Sequence, residues 1–354
     1  MTEITLNWTA SSGGNLQGYN IYRSSDGIIF TKINTTPVND VMYTDSTPGE
    51  GIRFYKVSAV RDVESGYSNV TRNARGTRIS GTKTGSYTAA IANSPYVIES
   101  NVTINGGDFT IPTGSAVYVL DGVTIDIENK YSIIVNGTFQ IWAAPTATGH
   151  TTLTAHKPGG IPVDSAYGEG FLLKLYGASY NPADSSGTLF INVDIKNIHT
   201  GQNQLDIINC APKYDNCKIS SIANCPFSMG TGAIFSHCVL NNLEPNIESD
   251  LKSTPFKIEY CVINPGNLNY CFNFVTFPNP IKPGQIAQND INTTSKIGFW
   301  NYKGGDIPMG NNYWHNGTVI EIPAFEYSGG SGGVGCNFIP ILKSAPANVG
   351  PVGW

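Results

Sequence analysis

The stretch from residue 192 to residue 266 repeats one short pattern four times, and this repetition decides the fold. The four segments read NVDIKNI (192–198), NCKISSI (216–222), HCVLNNL (237–243) and YCVINPG (260–266). Their first residues are separated by 24, 21 and 23 positions. Aligned, they form one column of Val193, Cys217, Cys238 and Cys261, and a second of Ile195, Ile219, Leu240 and Ile263.

A repeat period in the low twenties is typical of a solenoid. Apolar columns two positions apart indicate strands, because the side chains of a strand alternate between its two faces. The sequence therefore predicts an all-β protein whose main unit is a right-handed parallel β-helix over residues 93–318. At about 23 residues per coil, that unit has about ten coils.

The composition excludes several classes of protein. Charged residues make up 13% of the chain, the formal net charge is −5, and no basic block occurs, so we expect no nucleic-acid partner. No apolar run of about 18 residues occurs, so we expect no membrane span. The N-terminal MTEITLNWTASSGG lacks the pattern of a secretory signal, which favours either assembly in the cytoplasm or prior removal of a signal.

Residues 1–78 read as a separate unit of short alternating strands between turn-rich segments. The segments GYNIYRSSDGIIFTKIN (18–34) and RFYKVSAVRDVESGYSN (53–69) resemble fibronectin type III modules of bacterial and phage proteins. The resemblance implies a β-sandwich with Trp8 in the core and Tyr55 as the corner tyrosine. Residues 79–92 are predicted to be a linker or a cap on the first coil.

The second unit also carries a resemblance. The stretch VTINGGDFTIPTGSAVYV (102–119) is similar to the opening coils of bacterial right-handed β-helix repeat proteins, and GNNYWHNG (310–317) is similar to a motif near the end of many such helices. That family includes lyases, hydrolases, epimerases and inert viral fibres. Residues 319–354 form a Gly-rich tail with an apolar end, which we expect to pack on the last coil or on a neighbouring subunit.

All seven cysteines lie between residues 210 and 336, and an odd number makes a poor disulfide framework. Their spacing lacks the close C-x2-C pairs of zinc sites. We interpret them as buried thiols inside the coils, with metal binding or disulfides as the alternatives. No metal and no cofactor are predicted.

The residues that flank the apolar columns are candidates for recognition. Asn192, Asn216, His237 and Tyr260 are predicted to form an outward column, and Asp194 and Lys218 a cross-coil ion pair. His237 and Tyr260 could together cover the apolar face of a sugar ring, with Asn216 beside them. The alternative interpretation is an ordinary outward ladder without a ligand.

Glycoside hydrolysis usually requires two carboxylates that flank the scissile bond. The best pair is Asp215 and Glu259, which share one column two coils apart, and the second is Asp164 and Glu169 in a long excursion. Carboxylates are common at turns, so both pairs are interpreted first as structural. If the chain is an enzyme, we expect a glycoside hydrolase or a polysaccharide lyase; a protein without catalytic activity is favoured.

These observations predict a phage virion protein: a fibre, spike or head-decoration component that presents a rigid β-helix for surface or glycan recognition. Its expected partners are other virion or surface proteins and a cell-surface glycan, and a homo-oligomer is left open. The first alternative is a secreted polysaccharide-degrading enzyme or its carbohydrate-binding module. The second alternative is a bacterial surface adhesin.

Overall fold

The structure is a computed structural model, and it describes most of the chain. The described residues are 3–146, 148–163, 169–198, 205–207, 210–229, 233–248, 257–266, 270–275, 286–292, 296–300, 307–315, 325–328, 336–337, 342, 344–347 and 349–351. Within them the fold is almost entirely β, as predicted, with a single short 3-10 helix at Ile91–Asn93.

The first six strands form two antiparallel sheets. They are β1 (Ile4–Asn7), β2 (Gly18–Ser24), β3 (Thr31–Lys32), β4 (Met42–Asp45), β5 (Arg53–Val60) and β6 (Thr71–Asn73). β1 pairs with β4, and the second sheet has the order β3-β2-β5-β6. The two sheets share an apolar core around Ile4, Leu6, Tyr19, Ile21 and Tyr55.

Two aromatic residues singled out in the sequence lie in this core. Tyr55 is 1% exposed and its hydroxyl donates a 2.9 Å hydrogen bond to Asp45. Burial, followed by that hydrogen bond, raises the pKa of Tyr55. Trp8 packs edge-on against Tyr19, with ring centroids 5.3 Å apart.

Most of the remaining strands build one long sheet, which is parallel except for the pair β15–β16. The first of them are β7 (Thr77–Thr84), β8 (Tyr87–Thr88), β9 (Tyr96–Asn105), β10 (Phe109–Ile111), β11 (Ala116–Val119), β12 (Thr124–Glu128), β13 (Ser132–Val135), β14 (Thr138–Trp142), β15 (Thr151–Lys157), β16 (Ile161–Pro162), β17 (Leu172–Leu175), β18 (Leu189–Ile191), β19 (Val193–Ile198) and β20 (Leu205–Ile207).

The sheet continues with β21 (Lys213–Asp215), β22 (Lys218–Met229), β23 (Ile234–Ser236), β24 (Val239–Glu248), β25 (Lys257–Glu259), β26 (Val262–Asn264), β27 (Tyr270–Val275), β28 (Ile286–Ala287), β29 (Asp290–Asn292), β30 (Lys296–Trp300), β32 (Tyr313–His315) and β33 (Phe325–Ser328). β31 (Ile307–Pro308) and β34 (Cys336–Asn337) pair with each other in a separate two-stranded parallel sheet.

The parallel pairings form three ladders that the chain visits in turn. The first ladder joins β9, β11, β14, β18, β21, β23, β25 and β28. The second joins β9, β12, β15, β19, β22, β24, β26, β29 and β32. The third joins β8, β10, β13, β17, β20, β22, β24, β27, β30 and β33. This topology is consistent with a parallel β-helix of three-sided coils, whose handedness stays a prediction.

The ends of the parallel sheet reach beyond residues 93–318. β7 pairs with β9 and β8 pairs with β10, so the segment 79–92 contributes strands to the sheet. β33, at residues 325–328, pairs with β30 and extends the third ladder into the segment predicted to be a tail.

The predicted apolar columns lie inside the coils. Val193, Cys217, Cys238 and Cys261 are 0% exposed, and so are Ile195, Ile219, Leu240 and Ile263. They belong to one apolar cluster that runs from Ile79 to Trp314. Five cysteines, Cys210, Cys217, Cys238, Cys261 and Cys271, are buried and free, as predicted. Burial raises the pKa of Cys210 to about 12 and that of Cys217 and Cys261 well above the usual range.

An inner ladder of aromatic rings runs beside these columns on the first ladder. Phe190, Tyr214 and Phe235 stack face to face, with centroids 4.8 and 4.7 Å apart and planes within 6°. All three side chains are fully buried. The ring stack keeps successive coils in register because each ring contacts the equivalent ring one coil away.

The corner between the first and second ladders has a left-handed backbone in every coil from residue 192 onward. One residue of positive φ occupies it each time: Asn192 (58°), Asn216 (55°), His237 (53°), Tyr260 (53°), Gln288 (60°) and Asn311 (60°). Asparagine tolerates this conformation better than most residues because its short side chain bonds locally. The corner therefore explains why asparagine recurs at this position.

At the last three of these corners, the following residue has a buried side chain that accepts a main-chain hydrogen bond from the preceding coil. Cys238 N donates to Cys261 Sγ (3.4 Å), Cys261 N to Asn289 Oδ1 (2.9 Å), and Asn289 N to Asn312 Oδ1 (3.1 Å). The left-handed corner interrupts the regular ladder, so these buried N–H groups need a side-chain partner. Along the rod, the acceptor atom of this column changes from the sulfur of cysteine to the amide oxygen of asparagine. The acceptor receives the same main-chain hydrogen bond in each case.

The N-terminal sheets contact the solenoid through a small apolar cluster. Ile52 and Phe54 pack with Val97, Tyr118 and Leu120. Phe54 also meets Trp142 edge-on, with centroids 4.6 Å apart. Arg72 and Asp121 add an ion pair of 3.2 Å across the contact. The two units are therefore joined by packing as well as by the chain.

Two described residues of the tail contact the solenoid, one near its end, where packing was predicted, and one at the coil of Tyr260, two corners earlier. Leu342 N donates to Asn312 O (3.1 Å) and Gly350 N donates to Tyr260 O (2.8 Å). Gly350 is buried, and a Cβ at this position would lie 3.2 Å from Val262 Cγ2 and 3.5 Å from Val239 Cγ2. Among the described residues, none belongs to a helix with the length and apolarity of a membrane span.

Candidate functional site

The candidate site is the lateral face around the corner of residues 213–216, 236–237 and 257–260. On the first ladder, Asp215, Ser236 and Glu259 are direct neighbours in register. Asp215 and Glu259 therefore share one column two rungs apart, as predicted from the sequence. Two rungs separate their backbones by about 9.6 Å.

The two aromatic candidates form a stacked pair. The rings of His237 and Tyr260 lie with centroids 5.2 Å apart and planes 6° apart. Both side chains are partly exposed, and that of His237 is 35% exposed. The two rings therefore stack on each other on the outside of adjacent coils, and their use as a sugar platform stays a prediction.

Both rings occupy left-handed corners, where a bulky residue is uncommon. Leaving the right-handed region costs a residue other than glycine or asparagine about 1–2 kcal/mol. The coils on either side use Asn216 and Gln288, and two further coils use Asn192 and Asn311. Tyr260 thus occupies a corner for which a smaller polar residue is better suited, whereas histidine, like asparagine, is enriched in this conformation. Such a conformational cost at a surface position motivates a hypothesis of function.

The predicted outward position of Asn192 is wrong. Asn192 is 4% exposed, its amide donates to Ala143 O, and its Oδ1 accepts a hydrogen bond from the amide of Asn216. The reason is the hydrogen bonding of its short side chain, which reaches the main chain of the preceding coil at Ala143, whereas the longer His237 side chain at the same corner extends to the surface. Asn216 is half-buried within this chain of amides, and a binding role for it stays a prediction.

Each carboxylate of the main candidate pair is neutralised by a lysine two residues earlier on the same strand face. Lys213 Nζ lies 3.0 Å from Asp215 Oδ2, and Lys257 Nζ lies 2.6 Å from Glu259 Oε2. Residues i and i+2 of a strand point to the same side, so the two ion pairs repeat along one face. This arrangement is typical of carboxylates that form structural ion pairs on a protein surface.

A histidine, a serine and an aspartate meet here, but their geometry differs from a proton relay. His237 Nδ1 lies 3.2 Å from Ser236 Oγ and 3.4 Å from Asp215 Oδ1. A Ser-His-Asp triad uses opposite ring nitrogens for the two partners, so that the imidazole passes a proton between substrate and serine. Here both contacts converge on one nitrogen, which fixes the orientation of the ring within the stack.

The remaining candidates take other places. Asp164 lies outside the described residues, whereas Glu169 Oε2 pairs with Lys157 Nζ at 2.9 Å. Asp194 and Lys218 are register neighbours on adjacent coils, as predicted. The ion pair found for Asp194 is with Lys196 Nζ, at 3.5 Å. Within the described residues, no group of three or more His, Cys, Asp or Glu side chains is placed to hold a metal ion.

Sequence reasoning overlooked two coils of the corner column. QND (288–290) and NNY (311–313) repeat the corner, the buried acceptor and the outward residue of the earlier coils. The step from Tyr260 to Gln288 is 28 residues, because an excursion lengthens that coil. The sequence signal was an asparagine directly after the corner residue, at Asn289 and Asn312, but the longer step concealed this repeat.

Comparisons of the chain with protein-family models, with curated proteins and with solved structures find no match. The functional argument therefore depends on the geometry of this face.

Proposed function

We propose that this protein is a structural and adhesive component of a phage virion, a fibre, spike or head-decoration protein, whose rod presents the lateral face for glycan recognition. One observation carries the recognition part: the stacked rings of His237 and Tyr260 stand at left-handed corners that asparagine occupies in other coils. An aromatic face covers the apolar side of a pyranose ring. In this stack one face of each ring is turned toward the other ring, so a sugar would pack on the outer parts of the stack that the solvent reaches.

The N-terminal unit supports a modular appendage. Its two antiparallel sheets, with Trp8 and Tyr55 in the shared core, agree with the fibronectin type III resemblance of the sequence. We propose that it is a type III domain that acts as a docking unit. Its apolar contact with the solenoid would transmit load between a particle and the rod.

The recognition part is tested with corner variants that separate binding from folding. In the double variant His237→Asn, Tyr260→Asn, each ring is replaced by the residue that the corner favours. We expect stability equal to or above that of the unmodified protein, and loss of binding to a glycan array and to whole bacterial cells. Asn311→His, at a corner of the same column, is the matched control that leaves the platform intact.

Two results would count against this part of the proposal. One is a double variant that binds glycans and cells as well as the unmodified protein. The other is a double variant that loses stability together with binding, since the rings would then serve the fold.

The virion part is tested with antibodies against the purified protein. We expect immunogold label at a fixed position on phage particles sedimented from cultures of the source. Label on cell walls without particles would support the adhesin alternative, and release of reducing ends or unsaturated sugars from polysaccharides would support the enzyme alternative.

A further inference from the structure

A cleft of about 1090 Å³ lies between the N-terminal sheets and the solenoid. One wall is the turn 50–53 of the N-terminal unit. The opposite wall is made of the coil corners 113–116 and 136–138, and the excursion 183–187 closes one side. Clefts at the contact of two units are common ligand sites, and this volume accommodates a drug-sized or larger molecule.

The walls of this cleft are held in place by their own hydrogen bonds. The Gln140 amide donates to Ser185 O (2.9 Å) and to Gly187 O (3.1 Å), which fastens the excursion to the solenoid. Gln140 is 5% exposed, so this attachment is buried. At the corners, a Cβ at Gly137 would lie 2.2 Å from Ser115 O, so glycine is required there. The cleft is therefore largely formed before any ligand arrives.

Arg53 is a lining cation without a carboxylate partner among the described residues. Its guanidinium is positioned by its own main chain, since Nε donates to Pro48 O (2.7 Å) and Nη1 donates to Ile52 O (3.1 Å). The lining Glu50 pairs instead with Arg75, at 3.2 Å. The other lining carboxylate, Asp184, accepts a hydrogen bond from Ser186 N at 3.0 Å. A fixed guanidinium fork without an ion-pair partner is the group that best recognises a carboxylate.

Two further lining groups fit a hydroxyl-rich ligand. Ser115 is 2% exposed, and its hydroxyl has no hydrogen-bond partner within the part of the chain that the structure describes. A buried polar group without a partner costs free energy, and a ligand hydroxyl would satisfy it. Trp142 is half-buried, held edge-on by Phe54, and contributes an indole to the lining.

We propose that this cleft binds an oligosaccharide that carries a carboxylate. The carboxylate lies on Arg53, one sugar ring packs on Trp142, and a sugar hydroxyl bonds to Ser115. The site is separate from the aromatic platform and does not depend on the proposed role of the protein in a virion.

The test uses matched pairs of probes and calorimetric titration of the full chain. 3′-Sialyllactose is compared with lactose, and a trimer of galacturonic acid with maltotriose. We expect at least one acidic probe to bind, and its neutral counterpart to bind about ten- to a hundredfold more weakly, as expected for loss of a hydrogen bond to a charged group. Arg53→Gln should abolish this difference, whereas Arg61→Gln, outside the cleft, should leave it unchanged.

A second variant distinguishes a loss of binding from a loss of folding. Ser115→Ala removes a buried hydroxyl that has no partner, so the midpoint of thermal unfolding should stay the same or rise while the acidic probe binds more weakly. The double variant His237→Asn, Tyr260→Asn should bind the probe unchanged. The inference is overturned if neither acidic probe binds, if the neutral probes bind equally well, or if Arg53→Gln binds as the unmodified protein does.

Discussion

The buried acceptor column makes a quantitative prediction at Asn289. This side chain is 0% exposed, and its Oδ1 accepts the Cys261 N–H at 2.9 Å while its amide donates to Ile258 O at 2.9 Å. Asn289→Val, which uses the residue at the start of the repeated column, removes both bonds and a third from the amide to Asn312 Oδ1 (3.0 Å). Asn312 Oδ1 keeps the main-chain N–H of residue 289, so two buried groups, Cys261 N–H and Ile258 O, are left unpaired. Each buried group left unpaired costs about 1–3 kcal/mol, so the free energy of unfolding of the solenoid should fall by about 2–6 kcal/mol.

Asn289→Cys is the matched control, because Cys261 performs the same task one coil earlier. Its sulfur still accepts the Cys261 N–H, whereas the amide donors to Ile258 O and Asn312 Oδ1 are lost. Asn312 Oδ1 keeps the main-chain N–H of residue 289, so only Ile258 O is left without this partner. We expect roughly half the loss seen for valine, or about 1–3 kcal/mol. Differential scanning calorimetry should rank the stability of the unmodified protein highest, that of Asn289→Cys second and that of Asn289→Val lowest.

Amide hydrogen exchange tests the cause directly. The Cys261 amide should lose protection in Asn289→Val and keep it in Asn289→Cys. If the valine variant is as stable as the unmodified protein, or if cysteine is no better than valine, the column does not satisfy the corner N–H groups and the reasoning fails.

Four further predictions concern other parts of the molecule. At pH 8, iodoacetamide should leave Cys217 unlabelled in the native protein, because burial raises its pKa; labelling without denaturant would contradict this. Hydrogen bonds, first of all from Ser58, lower the pKa of Glu64 to about 2, so its contribution to stability is complete above about pH 4.5 and is lost as the pH falls toward 2. NMR titration should show this value, and Ser58→Ala should raise it; an unshifted value near 4.5 would refute the bonding. Glu259→Gln should leave glycan binding unchanged, because that carboxylate is paired with a lysine; a loss of polysaccharide cleavage in this variant would instead establish an enzyme. Deleting 342–354 should speed proteolysis of the coils around Val239 and Val262, since it uncovers these outward valines; an unchanged digestion rate would show that the tail does not protect these coils.

The sequence predicted the coils because burial imposes a strong pattern on each of them. Alternation over two residues and recurrence every 21 to 24 residues together identify Val193, Cys217, Cys238 and Cys261 as one inward column. The ladder pairings then confirm that Asp215 and Glu259 share an outward column. Register follows from pattern wherever one face is buried.

The corners could not be predicted in the same way. Phe190 and Val193 both point inward although they are three residues apart, because the left-handed residue between the two strands shifts the alternation. The corner positions hold Asn, His, Tyr and Gln, and these four residue types share no single conformational preference from which the corner could be predicted. The cleft could not be predicted from the sequence either, because it is formed where residues 50–53 and residues 183–187 come together through the packing of two units.

The excursion at residues 178–187 begins and ends at one point of the coil. Thr188 N donates to Ala178 O at 2.9 Å, and Ala178 N donates to Gly137 O at 3.0 Å. The loop is thus closed at its base, and changes in its length do not propagate into the ladders above and below. Variation can accumulate there, or a foreign peptide can be displayed there, while the rod keeps its length and register. The length of the rod can change only by whole coils. The binding specificity of the loop and the length of the rod can therefore evolve independently.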